Sequence, residues 1–165
     1  MAGEARPRPA LGNPVHLLAF GFGAGLSPWA PGTFGTLVAV ALYLPLSLLP
    51  LVQYAVVVVA VSLAGIWLCG RAARDLGVHD HPGIVWDEIA GYLVTMLAAP
   101  SGWEWVLAGF VLFRLFDIWK PWPVGWLDRR VGGGLGIMLD DLAAGALAAV
   151  CIQVAAHLTG AVAGG

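Results

Sequence analysis

Charge is scarce in this sequence. Of 165 residues, 8 are Lys or Arg and 10 are Asp or Glu, 11% in all. An ordinary soluble domain carries about 25%. With a formal net charge of −2 and no basic stripe, a nucleic-acid binder is excluded. Cysteine is scarcer still. Cys69 and Cys151 each sit inside an apolar run, so a disulfide scaffold is excluded. No secretory signal is seen at the start. Residues 1–13 are polar and Pro-rich and read as a flexible cytoplasmic tail. Apolar residues, by contrast, make up 59% of the chain. That rules out disorder, and the length suits one membrane-embedded domain over residues 14–162.

The few charges are unevenly placed. Residues 11–70 and 142–165 contain no Asp, Glu, Lys or Arg. Apart from Glu4, Arg6 and Arg8, every charge lies in residues 71–141. A soluble surface needs charge spread over it, so the two uncharged flanks point to lipid as solvent. The expected fold is an all-α polytopic bundle of about five membrane-embedded helices. Their apolar segments are residues 34–49, 51–69, 84–99, 103–119 and 137–162. A short interfacial helix at 16–20 precedes them. Spanning a core of roughly 30 Å takes about 20 helical residues, which the second and fifth segments satisfy. The others are short and must tilt or extend.

If the segments alternate, the tail and the loops at 70–83 and 120–136 share one side. All eight basic residues fall on that side or at its helix ends. Basic loops stay cytoplasmic, so this side is expected to face the cytoplasm. Trp29, Trp67, Trp86, Trp119, Trp122 and Trp126 cluster near it, with Trp103 and Trp105 at the other end. That is the distribution of interfacial belts.

The same alternation brings acids together. Asp87 and Glu88 open the third segment, Asp117 closes the fourth, and Asp140 and Asp141 open the fifth. With Asp80 and Asp128, seven carboxylates converge on the basic side. Arg114, Lys120, Arg129 and Arg130 are too few to neutralise them and also hold a ligand. A divalent cation with all-oxygen ligands, Mg²⁺, Mn²⁺ or Ca²⁺, resolves the excess. Acids at a helix N-terminus also complement the macrodipole, which serves either acid pair as an alternative reading. It does not serve Asp117, near a C-terminus, although Arg114 three residues earlier is placed to pair with it.

Other residues carry two readings each. Lys120, in Trp119-Lys120-Pro121-Trp122-Pro123, is either a snorkelling anchor or a phosphate ligand. Arg129 and Arg130 suit bidentate phosphate contact or simple topology anchoring. The Gly run at 132–136 is an anion cradle or a flexible turn. Thr33 and Thr36 cap the first segment or bond a phosphate. His79 and Asp80 supply a base or ligand, or only a loop near lipid headgroups. The glycines at 21–25 lack the strand that a dinucleotide loop needs.

Four stretches carry a family resemblance: Leu26-Ser27-Pro28-Trp29-Ala30-Pro31-Gly32-Thr33-Phe34-Gly35-Thr36; Pro82-Gly83-Ile84-Val85-Trp86-Asp87-Glu88; Phe113-Arg114-Leu115-Phe116-Asp117-Ile118-Trp119-Lys120-Pro121-Trp122-Pro123; and Leu127-Asp128-Arg129-Arg130 followed by residues 133–141. In this order they resemble the phosphatidylglycerophosphatase A family over about residues 14–150. The resemblance implies a Mg²⁺-dependent phosphatase of the bacterial inner membrane, with its site facing the cytoplasm. It would hydrolyse phosphatidylglycerophosphate to phosphatidylglycerol and inorganic phosphate. The family includes soluble all-helical relatives, so the apolar runs, not the motifs, argue for insertion here.

On that reading Asp87, Glu88, Asp117, Asp140 and Asp141 are the catalytic and metal-holding acids. Lys120, Arg129, Arg114, Thr33 and Thr36 contact the substrate phosphate, and His79, Asp80 or Asp128 serves as base or further ligand. Two alternatives use similar acids. A membrane ion or proton transporter would need them near mid-membrane. A CDP-alcohol phosphotransferase-like enzyme would need a run of spaced Asp and Gly that is not found. The sequence assigns no oligomeric state.

Overall fold

A computed structural model describes residues 8–161, and among them every regular element is helical. The elements are α1 (Pro14–Ala19), a 3-10 turn (Gly21–Leu26), α2 (Pro31–Leu46), α3 (Leu51–Asp75), α4 (Trp86–Thr95), α5 (Trp103–Trp119), α6 (Val124–Arg130) and α7 (Gly133–Thr159). Residues 1–7 of the expected tail lie outside the described residues. Next to them, the Ala10 N–H donates to buried His16 Nδ1.

Local chemistry sets the boundaries. Asn13 caps α1 by accepting from the Val15 N–H. Proline opens α2 at its first position, where no N–H is needed. Gly77 (φ +67°) follows the end of α3 and Gly160 (φ +72°) ends α7, each in the left-handed conformation that glycine adopts freely. The expected loop at 120–136 contains the short α6, and α7 begins inside the Gly run.

Helix α7 is the hub, packed against α3, α4, α5 and α6. Small residues allow this closeness. A Cβ on Gly145 would fall on the Gly91 carbonyl of α4, and one on Gly134 on the Ile66 carbonyl of α3. Thr95 Oγ1 donates to the carbonyls of both Gly91 and Gly145. Around α4 lies the main core. Tyr43, Tyr54, Tyr92 and Phe113 meet edge to face at centroid distances of 6.0–6.5 Å. The Tyr54 hydroxyl donates to the Leu93 carbonyl at 2.7 Å.

Two described helices, α3 and α7, are long and apolar enough to cross a membrane. At 1.5 Å per residue, α3 reaches about 37 Å. Only 22% of its apolar window is buried, unlike the core helix of a soluble protein. Val52, Val56, Val59, Leu63 and Trp67 form an exposed stripe along it, and Leu107, Val111, Leu115 and Ile118 form another on α5. Apolar surface on this scale marks a membrane-associated protein. The third expected segment takes a different form. Helix α4 has 10 residues, most of them buried, so its apolar character serves the core. Trp86 also turns inward, and its indole N–H donates to the Val61 carbonyl.

Candidate active site

Three helices deliver acids to one place. Asp87 and Glu88 stand in the first turn of α4, Asp117 in the last turn of α5, and Asp140 and Asp141 about two turns inside α7. The last position corrects the view that this pair opens its segment. The first turn of α7 holds no acid, because the helix runs back through the glycines to Gly133. A dipole role for Asp140 and Asp141 is thereby removed. For α4 it stands beside the site role.

Oxygen atoms from Asp87, Glu88 and Asp141 all lie within 4.8 Å of one another. Asp141 is 3% exposed, and neither it nor Asp87 has a cationic partner among the described residues. Asp117 lies against Asp141, but its Oδ2 accepts from Arg114 Nη1 at 2.6 Å. The same Nη1 is 3.8 Å from Glu88 Oε1. Glu88 Oε2 is buried without a hydrogen-bond partner. Clustered carboxylates with an orphaned oxygen cannot all stay ionised without further positive charge. All-oxygen donors of this kind fit Mg²⁺ or Ca²⁺.

Lys120 forms a second group. It closes α5 in a left-handed conformation (φ +49°). Its Nζ donates to Asp128 at 2.6 Å and Asp140 at 2.7 Å. Burial alone would lower its pKa, but these two carboxylates outweigh that and hold the ammonium above the ordinary lysine range. The five proposed acids therefore divide. Three form the cluster, Asp117 bridges it to Arg114, and Asp140 faces Lys120. Arg129 and Arg130 are exposed, with no ion pair among the described residues.

Neither threonine caps α2, whose N-cap Ala30 makes no side-chain bond. Thr36 is buried and donates to the Gly32 carbonyl at 2.9 Å, while Thr33 is half-buried. Gly134 and Gly136 press on backbone carbonyls of Ile66 and Val131, so close packing is what this part of the Gly run visibly serves. His79 lies beside Gly132. Asp80 sits in the field of Lys120 and Asp128, outside the triad. His81 packs on Phe20 and accepts from the Gly83 N–H.

Gly32 stands in the first of the four family stretches, but sequence reasoning gave it no role of its own. A Cβ there would meet Glu88 Oε1 and Arg114 Nη1. Gly32→Ala is expected to push those flexible ends aside, cutting turnover about tenfold or more with little loss of stability. Paired kinetic and thermal-denaturation measurements check it.

Comparison with known proteins agrees with the motifs. The sequence model of the family described as Phosphatidylglycerophosphatase A matches residues 17–156. A Phosphatidylglycerophosphatase A from Escherichia coli (strain K12) is 49% identical over 154 residues, covering 93% of this chain and 90% of the relative. One from Haemophilus influenzae is 45% identical over 142 residues, covering 85% and 87%. A putative phosphatidylinositol-3-phosphatase from Bacteroides thetaiotaomicron is 40% identical over 152 residues, covering 87% and 94%. No solved structure matches.

Proposed function

Because the chain belongs to the phosphatidylglycerophosphatase A family and is a phosphatase, we propose that it hydrolyses phosphatidylglycerophosphate to phosphatidylglycerol and inorganic phosphate, using Mg²⁺. The observation that carries this reading is the triad of Asp87, Glu88 and Asp141, in which neither aspartate has a cationic partner among the described residues. These three would hold the cation, with Asp117 and Asp140 beside them. When bound, Mg²⁺ supplies charge neutralisation and polarises the phosphate.

The chain's own groups do the rest. Arg114 fixes Asp117 and steadies Glu88. Lys120 and Arg129 grip phosphate oxygens, with Thr33 near the α2 end of the site. A carboxylate of the cluster accepts the proton of the attacking water as the new P–O bond forms and returns it to the glycerol oxygen released when the old P–O bond breaks, while the diacyl moiety stays in the bilayer. Direct attack by an aspartate is the other route. Trapping of an enzyme-bound phosphate distinguishes them.

In this reading residues 14–162, of which 162 lies outside the described residues, form a single domain in the bacterial inner membrane. Helices α3 and α7 cross it, and α2, α4 and α5 are embedded as shorter elements, giving about five in all. Basic residues gather at the acidic end, which favours a cytoplasmic site.

Protein purified into phosphatidylcholine vesicles should release phosphate from phosphatidylglycerophosphate with Mg²⁺, and EDTA should stop it. Phosphatidylinositol 3-phosphate is tested in parallel, since one relative carries that name. Release that persists in EDTA would remove the metal from the reading. Faster release from the inositol lipid would change the substrate.

A further inference from the structure

We infer that Asp128 is a specificity residue: it occupies the phosphate-binding face of Lys120 and yields it to a dianionic phosphomonoester, but not to the singly charged phosphodiesters of the surrounding membrane. This rests on the proposed hydrolysis of a lipid phosphomonoester.

The two carboxylates on Lys120 Nζ differ in kind. The Asp140 side chain is 11% exposed, set in α7 behind the lysine, and that of Asp128 is 42% exposed on the short α6. Pulling Lys120 from Asp140 would leave a buried charge unpaired, which is strongly unfavourable. The outer pair is screened by solvent and held weakly. Asp140 is thus the fixed anchor and Asp128 the exchangeable partner. Because Lys120 Nζ is also held by buried Asp140 at 2.7 Å, its ammonium does not swing freely to a new anion. An arriving phosphate reaches it by replacing Asp128.

Charge then sets which anions succeed. A phosphodiester carries one negative charge, as Asp128 does, so the exchange gains little. A terminal phosphate carries about −1.5 to −2 at neutral pH and offers three acceptor oxygens, so it wins the lysine. Arg129, the next residue, is exposed and unpaired among the described residues. It meets the extra charge of the monoester. The proposed product, phosphatidylglycerol, is itself a phosphodiester. Asp128 would therefore also keep the product from holding the site.

The test is inhibition by phosphatidylglycerol in mixed micelles containing phosphatidylglycerophosphate and Mg²⁺. In Asp128→Asn, the inhibition constant relative to KM should fall about tenfold. Asp128→Glu, which keeps the charge, should retain the wild-type ratio. A ratio within about twofold of wild type in Asp128→Asn overturns the inference, whatever happens to kcat. So does a fall of equal size in Asp128→Glu. Calorimetric binding of short-chain phosphatidylglycerol gives the same comparison without turnover. There, unchanged affinity in Asp128→Asn overturns the inference even if the variant is inactive. Failure of the wild type to hydrolyse the lipid counts against the functional reading alone.

Discussion

Asp141→Asn should lose phosphate release by at least about a hundredfold, on the scale of removing one preorganised electrostatic contact, yet melt at a higher temperature than wild type without Mg²⁺. Both signs follow from the triad. Three carboxylates approach within 4.8 Å, and Asp141 is nearly excluded from water, so their repulsion is poorly screened. Asparagine keeps the shape and removes one charge. What is strain in the metal-free protein is the binding energy for a cation, so the variant should also lose the rise in melting temperature that Mg²⁺ gives wild type. Turnover and thermal midpoints with and without Mg²⁺ measure all three effects. Full turnover in the variant, or a lower midpoint without Mg²⁺, would show that the triad is not the metal-holding centre.

Gly145→Ala should destabilise the protein and reduce turnover together. In an exposed helix this change adds up to about 1 kcal/mol of stability. Here the new methyl meets the Gly91 carbonyl, a backbone group that no side-chain rotation moves aside. Overpacking costs about 1–3 kcal/mol, which exceeds the propensity gain. Relief requires α7 to back away from α4. Asp141 lies one turn from Gly145, so the same shift spreads the triad. Thermal midpoint and kcat in one detergent preparation check the pairing. A Gly145→Ala variant as stable as wild type would mean that the α4–α7 contact is looser than described.

Much of this architecture was legible because a lipid-facing helix must be apolar on the side that meets lipid. The runs at 51–69 and 103–119 accordingly match α3 and α5, with α3 continuing to Asp75. Residues 84–99 gave the apolar character of α4 but not its surroundings. Hydropathy reports that Ile89, Leu93 and Met96 avoid water, but not whether lipid or protein surrounds them. The start of α7 was hidden because a Gly run reads as a breaker. Close approach of Gly134 to α3 holds it helical. At the site, the gathering of acids could be foreseen from which helix ends share a side. Their division could not. Asp140 and Asp141 are neighbours in sequence, but successive helical residues point about 100° apart, so one faces Lys120 and the other the triad. The first motif included Gly32 but not its purpose, which is the room it gives Glu88.

The aromatic cluster of Tyr43, Tyr54, Tyr92 and Phe113, packed around the far part of α4, fills the space beneath the carboxylates. If the acidic end takes the headgroup as proposed, water and inorganic phosphate would exchange on that same side, because the packed rings leave the core behind the carboxylates apolar.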